Sequence, residues 1–482
     1  MILTMFLDGL RPDQVTTQYT PNIASLIKGG VRFLNHHAVF PTETRVNVAS
    51  YVTGRKPGFH GIVSNTFIAY NKGTPWEVNT GHRQSLAQLD EETEGHLLLT
   101  KSLGEILAEN GKKMITINIG SEGNAFLNNH KAEKNGGLVI HPDFTIPEKE
   151  EKDITHIVGD WPPGGTPDTE RIRHATSILL DYVIPKYDPT VVTLWFSEPD
   201  NAQHKTRISS HQAIQGIEQA DAEIGRIVKY LRDRGLDDST DLLVASDHGH
   251  STVSQTVSVA DQLVLAGLKE KNYSTDLLVS ATGGCALFYV RNHEKAKIQA
   301  VTEYLMAQEW CGSLFSNSPS PGALPMLTTR DETSRSPDIL ISFKWSDEEN
   351  SQGIKGTVVF AKGDVPVGAS SHGSISPFDI RNLLVATGPN FKNGVCNQTP
   401  SGIMDLMPTI LHILGLTTYG VLDGRVLSEA LVGGPDPNDM PCEAYITRAS
   451  RAVGAQTFEQ ELRTSRVNST EYLDWGQTHR IK

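Results

Sequence analysis

Cysteine is scarce, with only Cys285, Cys311, Cys396 and Cys442 in 482 residues. None forms a CxxC pair, which excludes a zinc ribbon or a thiol redox motif, and four scattered thiols make no disulfide framework. They read as buried free thiols, with room for a single bridge. Long basic runs are missing too, and the formal net charge is −13. That argues against a groove for a nucleic-acid polymer. No apolar run reaches about 18 residues, so no membrane span is expected. Residues 1–7 are apolar, but Asp8 interrupts them and no basic stretch precedes them, so they do not read as a signal peptide. The expected location is cytoplasmic, with a secreted mature form left open. The oligomeric state is not legible. An acidic chain can still hold a small phosphorylated substrate when bound cations supply local positive charge.

What the sequence does contain is a rhythm. A short apolar strand ends in a polar or acidic residue, and a helical stretch follows. Residues 1–7, 113–119, 191–196, 241–245 and 382–386 read as strands. Residues 23–28, 103–110, 172–184, 214–232 and 403–414 read as helices. This alternation implies an α/β fold, with a mostly parallel sheet covered by helices on both faces and right-handed crossovers. The polar residues that end the strands would line the carboxyl edge, where open α/β sheets bind ligands. Residues 254–367 break the rhythm and read as an inserted, smaller α+β cap domain. The catalytic core is then 1–253 with 368–435, and 436–482 is a C-terminal extension.

Four segments offer metal ligands. Asp200 and His204 are four apart and can share a helical face. Asp247 and His248 end a strand before Gly249. Asp8 ends the first strand, and His372 stands beside Gly373. Each alone is weak, because an Asp at a strand end is usually a turn or capping residue and a lone His is usually structural. Together they make a set of His and carboxylate donors without Cys, which suits a catalytic divalent metal, zinc first. His36, His37, His60, His211 and His250 read as structural, supporting or solvent-exposed.

Pro41-Thr42-Glu43-Thr44 reads as a loop leading into a helix that begins near Thr44. A hydroxyl at a helix N-terminus sits among unsatisfied N–H groups that favour a phosphate. The plain alternative is a capping threonine. A threonine hydroxyl is a poor nucleophile at neutral pH, and the sequence places no His to deprotonate it. Metal coordination could activate it instead, so the nucleophile and the metal ligands need each other.

These residues resemble the type I phosphodiesterases and nucleotide pyrophosphatases of the alkaline phosphatase superfamily. The matching pieces are Leu7-Asp8-Gly9, Pro41-Thr42-Glu43-Thr44 with Asn47, Val52-Thr53-Gly54, His60-Gly61-Ile62, Glu198-Pro199-Asp200 with His204, Ser246-Asp247-His248-Gly249, Ser371-His372-Gly373 and Met407-Pro408-Thr409-Ile410. The resemblance implies an alkaline-phosphatase-like fold and two zinc sites, one of Asp8, Thr44, Asp247 and His248, the other of Asp200, His204 and His372. It also implies that Asn65 hydrogen-bonds a phosphate oxygen, and that in-line attack by Thr44 gives a phospho-threonine that water then hydrolyses. Nucleotide-cleaving members carry Phe-Pro after the nucleophile, where the Phe stacks on the base. This chain has Arg45-Val46, so a nucleotide substrate is in doubt and Arg45 becomes a candidate substrate-binding residue.

The other readings are a carbon–phosphorus hydrolase resembling phosphonoacetate hydrolase, with Arg45 or Lys131 on a substrate carboxylate, a phosphomonoesterase, and a non-catalytic binding protein on the same fold. A sulfatase is the nearest alternative in the superfamily, but those enzymes need a Cys or Ser within a C-x-P-x-R-type motif, and none of the four Cys has that surrounding.

Overall fold

The computed structural model describes residues 1–326, 335–363, 365–416 and 420–481. Nine strands build the main sheet: β1 (Ile2–Leu7), β2 (Val31–Phe33), β3 (Met114–Asn118), β4 (Leu138–His141), β5 (Phe144–Ile146), β6 (Val191–Phe196), β7 (Asp241–Ala245), β8 (Leu384–Thr387) and β9 (Val395–Asn397). Their spatial order is β9-β2-β8-β7-β1-β6-β3-β4-β5. The run from β7 through β1, β6 and β3 to β4 is parallel. Strand β8 runs antiparallel to β7 and β2, and β5 runs antiparallel to β4. The sheet is therefore mixed with a parallel centre, in keeping with the α/β expectation.

The central strands are buried along their whole length because both faces are covered. Side chains alternate between two cores, as a period of two requires. Ile2 and Phe6 of β1 and Trp195 of β6 join one core, and Leu3, Met5, Leu7, Leu194 and Phe196 join the other. On the first face, Phe6 stacks on Trp195 at 4.2 Å and meets Tyr51 edge-on. On the second, the helix His211–Asp233 inserts Ile217, Ala220, Ile224, Ile227 and Leu231, spaced three or four apart along one stripe.

A second, five-stranded sheet contains Leu277–Thr282, Cys285–Val290, Ile339–Phe343, Cys311–Ser316 and Leu324–Pro325. All of these strands lie between 254 and 367, and on this ground we propose that span as the inserted unit. It is stitched to the core at its base, because Ser251–Val257 pairs with both Lys355–Ala361 and Ser370–Ser371. Beyond 436 the chain forms an antiparallel sheet of Cys442–Val453, Gln456–Val467 and Thr470–Ile481. The Gln460 amide anchors this sheet to the cap, donating to Leu314 O at 3.1 Å and accepting from Leu314 N at 2.9 Å. All four cysteines are free, Cys285 and Cys311 buried and Cys396 and Cys442 exposed. Among the described residues no helix is long and apolar enough to cross a membrane.

Candidate functional site

Strands β7, β1 and β6 lie side by side in parallel register, with Phe6 level with Ala245 and Trp195. Their carboxyl ends therefore deliver Asp247 and His248, Asp8, and Asp200 to one edge of the sheet. The expected ligands gather there in two groups. Asp8, Asp247 and His248 form one, and Asp200, His204 and His372 form the other, joined by His250.

In the first group, His248 Nε2 lies 3.2 Å from Asp247 Oδ2 and 3.5 Å from Asp8 Oδ1. Asp8 Oδ2 accepts from Trp195 Nε1 at 3.0 Å, and Asp247 Oδ1 accepts from Gly9 N at 3.1 Å. Asp8 Oδ1 and Asp247 Oδ2 are buried and accept no hydrogen bond. The Nδ1 atom of His248 pairs with Gly249 O at 2.9 Å, which leaves the lone pair of Nε2 for the site. Burial and the neighbouring carboxylates of Asp247 and Asp200 push Asp8 well above the usual carboxylate range. Buried acceptors without donors, crowded like charges and an inward imidazole lone pair all fit a divalent cation.

In the second group, Asp200 Oδ1 faces three Nε2 atoms, those of His250 at 2.8 Å, His204 at 3.2 Å and His372 at 3.5 Å. The short helix Asp200–Lys205 presents Asp200 and His204 together. His372 turns Nδ1 to Thr42 O at 2.8 Å, so its Nε2 also points inward. Burial alone would raise Asp200, but His204 and His250 outweigh it and hold the carboxyl well below its usual value. Burial pushes the His250 imidazole down to about 4.

Thr44 is the first residue of the helix Thr44–Thr53. The N-cap position is Glu43, one residue earlier, and the Thr44 hydroxyl stands 3.1 Å from His248 Nε2. The capping alternative therefore falls, and so does the expectation that no His stands near the hydroxyl. Asn65 lies across the loop. Its Oδ1 accepts from Arg45 N at 3.3 Å, leaving its amide donors for the cleft. Glu43, which sequence reasoning gave no role in holding Asn65, is buried and accepts from Ser64 Oγ at 2.8 Å and Asn65 N at 2.5 Å. It positions the Asn65 loop beside Thr44.

A cleft of about 560 Å³ opens over Thr44, Arg45, Asn65, Asp200, His204 and His372. The cap turn at Gly283 forms part of its wall. Gly283 has φ +53, and a Cβ there would lie 2.4 Å from His372 O, so only glycine allows the cap to approach this closely. The Arg45 guanidinium lines the cleft without an acidic partner within salt-bridge distance among the described residues, and its buried Nε has no acceptor.

The profile of the type I phosphodiesterase / nucleotide pyrophosphatase family matches residues 2–346. The chain belongs to this family. It is a family of phosphodiesterases and nucleotide pyrophosphatases, and the hydrolase expected from the sequence holds at that level. Bovine (Bos taurus) bis(5'-adenosyl)-triphosphatase ENPP4 is 23% identical over 427 residues, covering 87% of this chain and 79% of the relative. Rat (Rattus norvegicus) ectonucleotide pyrophosphatase/phosphodiesterase family member 1 is 26% identical over 255 residues, 51% of this chain and 24% of that protein. The solved structure of murine ENPP5 superposes with a TM-score of 0.64 at 16% identity, over 89% of this chain and 99% of that one. An inactive murine ENPP5 in complex with AMP gives 0.63 at 17% identity, over 87% and 96%. The alkaline-phosphatase-like architecture of the family is thus the fold of this chain.

Of the histidines that the sequence suggested were structural, supporting or exposed, His36, His37 and His60 are structural. His36 and His60 bond Ser401 Oγ and Ser50 Oγ, both at 2.9 Å, and His37 bridges Ser401 O and Asp474. His211 is exposed at a helix start. His250 pairs its Nε2 with Asp200 Oδ1 at 2.8 Å, beside the second group of expected ligands, which the supporting reading allows. Lys131 departs from expectation. Its amine is paired with Glu105 at 2.9 Å, and it is not part of the cleft wall.

Proposed function

We propose that this protein hydrolyses phosphodiester bonds with Thr44 as the nucleophile and two divalent metal ions, zinc first, as cofactors. The observation that carries this reading is the Thr44 hydroxyl, free of any cap bond, in a cleft whose floor holds two groups of His and carboxylate donors. Asp8, Asp247 and His248, with the Thr44 oxygen, would hold one ion. Asp200, His204 and His372 would hold the other. When bound, the ions supply Lewis-acid stabilisation of the attacking and leaving oxygens.

The chain's own residues supply the rest. Thr44 attacks phosphorus in line, the leaving alcohol departs from the opposite side, and water later cleaves the phospho-threonine. The Asn65 amide donates to a phosphate oxygen as charge builds on it. The Thr44 N–H, at the first helical position, has no intrahelical partner and faces the same oxygen. Glu43 keeps Asn65 in place throughout.

Arg45 narrows the substrate. By the sequence resemblance, Arg45 takes the place of the Phe that stacks on the base in nucleotide-cleaving members; its guanidinium is unpaired, and Glu43 is committed to Ser64 and Asn65. This favours a compact substrate with a further anionic group, either a phosphodiester or, as the second reading, a phosphonate. Kinetics on bis-p-nitrophenyl phosphate, p-nitrophenyl phosphate and a phosphonate panel test the reaction. The diester should be turned over fastest, EDTA should abolish turnover, and zinc should restore it. Undiminished activity after complete metal removal would sink the mechanism, and faster turnover of a phosphonate would install the second reading.

A further inference from the structure

The histidine that sequence reasoning set aside lies inside the second ligand group. We propose that His250 is a fourth protein ligand of the ion held by Asp200, His204 and His372, an inference that rests on the two-metal reading above.

The backbone puts it there. Gly249 separates His248 from His250, and a Cβ at Gly249 would lie 2.1 Å from Phe378 O. The glycine lets the chain pass this tightly, with its N–H donated to Asp379 O at 2.8 Å. The two imidazoles then serve different groups. His248 faces Asp8 and Asp247, whereas His250 faces Asp200.

The distances suit direct ligation. In a tetrahedral zinc site with bonds of about 2.0–2.1 Å, ligand atoms stand about 3.3–3.4 Å apart. The three Nε2 atoms stand 2.8, 3.2 and 3.5 Å from Asp200 Oδ1, and the ligand atoms of all four residues lie within 4.8 Å of one another. His250 now stands at hydrogen-bond distance from Asp200, and ligation would open that contact by about 0.5 Å to the tetrahedral spacing.

Its ring is held in place before any ion arrives. Gly9, at φ +68, passes so close that a Cβ there would lie 2.7 Å from His250 Cδ2 and Nε2. Arg11 Nη1 donates to His250 O at 3.1 Å and fixes the backbone. A side chain packed this way loses little freedom on binding, which favours a tight site. With His250 this ion would have four protein ligands, as many as the ion at Thr44, and a substrate oxygen would enter as a fifth.

The test is zinc retention by wild type, His250→Ala and His250→Gln during titration with a graded chelator, with metal counted by mass spectrometry. The metal-free proteins are melted in parallel to compare their folds. Wild type should hold two ions. Each variant should keep the fold and hold one of the two with affinity reduced more than about 100-fold, beyond the roughly 10–100-fold cost of losing a residue that only orients a ligand. X-ray absorption of the zinc proteins should show one fewer imidazole per two ions in the variants. Unchanged imidazole count, or an affinity loss below tenfold, would overturn the inference while two bound ions in wild type left the two-metal reading standing. A wild type that bound no zinc would overturn both.

Discussion

The hydroxyl of Thr44 stands 3.1 Å from Nε2 of His248. That nitrogen is shared with Asp247 and Asp8, so the hydroxyl sits at the rim of a ligand group rather than at the mouth of a helix cap. Thr44→Ala should remove nearly all turnover. A lost cap would cost about 1 kcal/mol of stability, but no cap bond exists here, so the melting temperature should change little. Thr44→Ser keeps the oxygen and should retain partial activity. Steady-state kinetics with thermal melts check this, and a Thr44→Ala enzyme at wild-type rate would exclude the nucleophile.

Asn65 is the proposed oxyanion donor and lies outside both groups of candidate metal ligands. Asn65→Ala should lower kcat by about 10²–10³, the range for one preorganised oxyanion donor, with zinc content unchanged. Glu43→Gln should reproduce part of that loss, because Glu43 accepts from Asn65 N and Ser64 Oγ. Loss of zinc in Asn65→Ala, measured alongside the rate, would make Asn65 structural instead.

The sequence displayed most of this site because strand ends are visible in it. Asp8, Asp200 and Asp247 each follow an apolar run, and parallel register then brings those ends together. His250 was hidden because three residues beyond Asp247 an extended chain would point to the opposite face, and the turn at Gly249 depends on a distant contact with Phe378 and Asp379. The role of Glu43 was hidden for the same reason, since its partners Ser64 and Asn65 arrive from another loop. The antiparallel setting of β8 was not legible either. A buried four-residue strand reads alike in both directions, and only its partners decide.

Away from the cleft, Glu150 offers a pH test of stability. Burial would raise its carboxyl, but donation from Tyr182 at 2.6 Å, from Tyr187 and from Lys186 at 2.9 Å outweighs this and lowers it to about 2. A folded-state value below the unfolded one means stability that is present above the unfolded value and is lost as pH falls through the folded one. Glu150→Gln should therefore melt below wild type at pH 7, and the gap should close between about pH 4.5 and pH 2. The group is near the surface, so the gap should be small and should shrink in high salt. A gap that widened on acidification would contradict the sign.

Arg45 should set substrate preference. It occupies the second position of the helix Thr44–Thr53, where the positive end of the dipole disfavours a cation. Its carboxylate neighbours Asp8, Asp200 and Asp247 are the residues assigned to the ions, so metal loading would offset the charges that now attract it. Glu43 does not reach it within salt-bridge distance. A substrate anion is then the remaining partner, and a planar guanidinium suits a carboxylate or second phosphate better than a nucleobase. Two diesters with the same leaving group, one carrying an extra carboxylate and one neutral, make the comparison. Arg45→Ala should lower kcat/KM on the anionic diester by about tenfold or more, the effect of a charged hydrogen bond worth about 1.5–3 kcal/mol, and leave the neutral diester nearly unchanged. Equal losses on both substrates, or none on either, would return Arg45 to a role in the helix and put the nucleotide first.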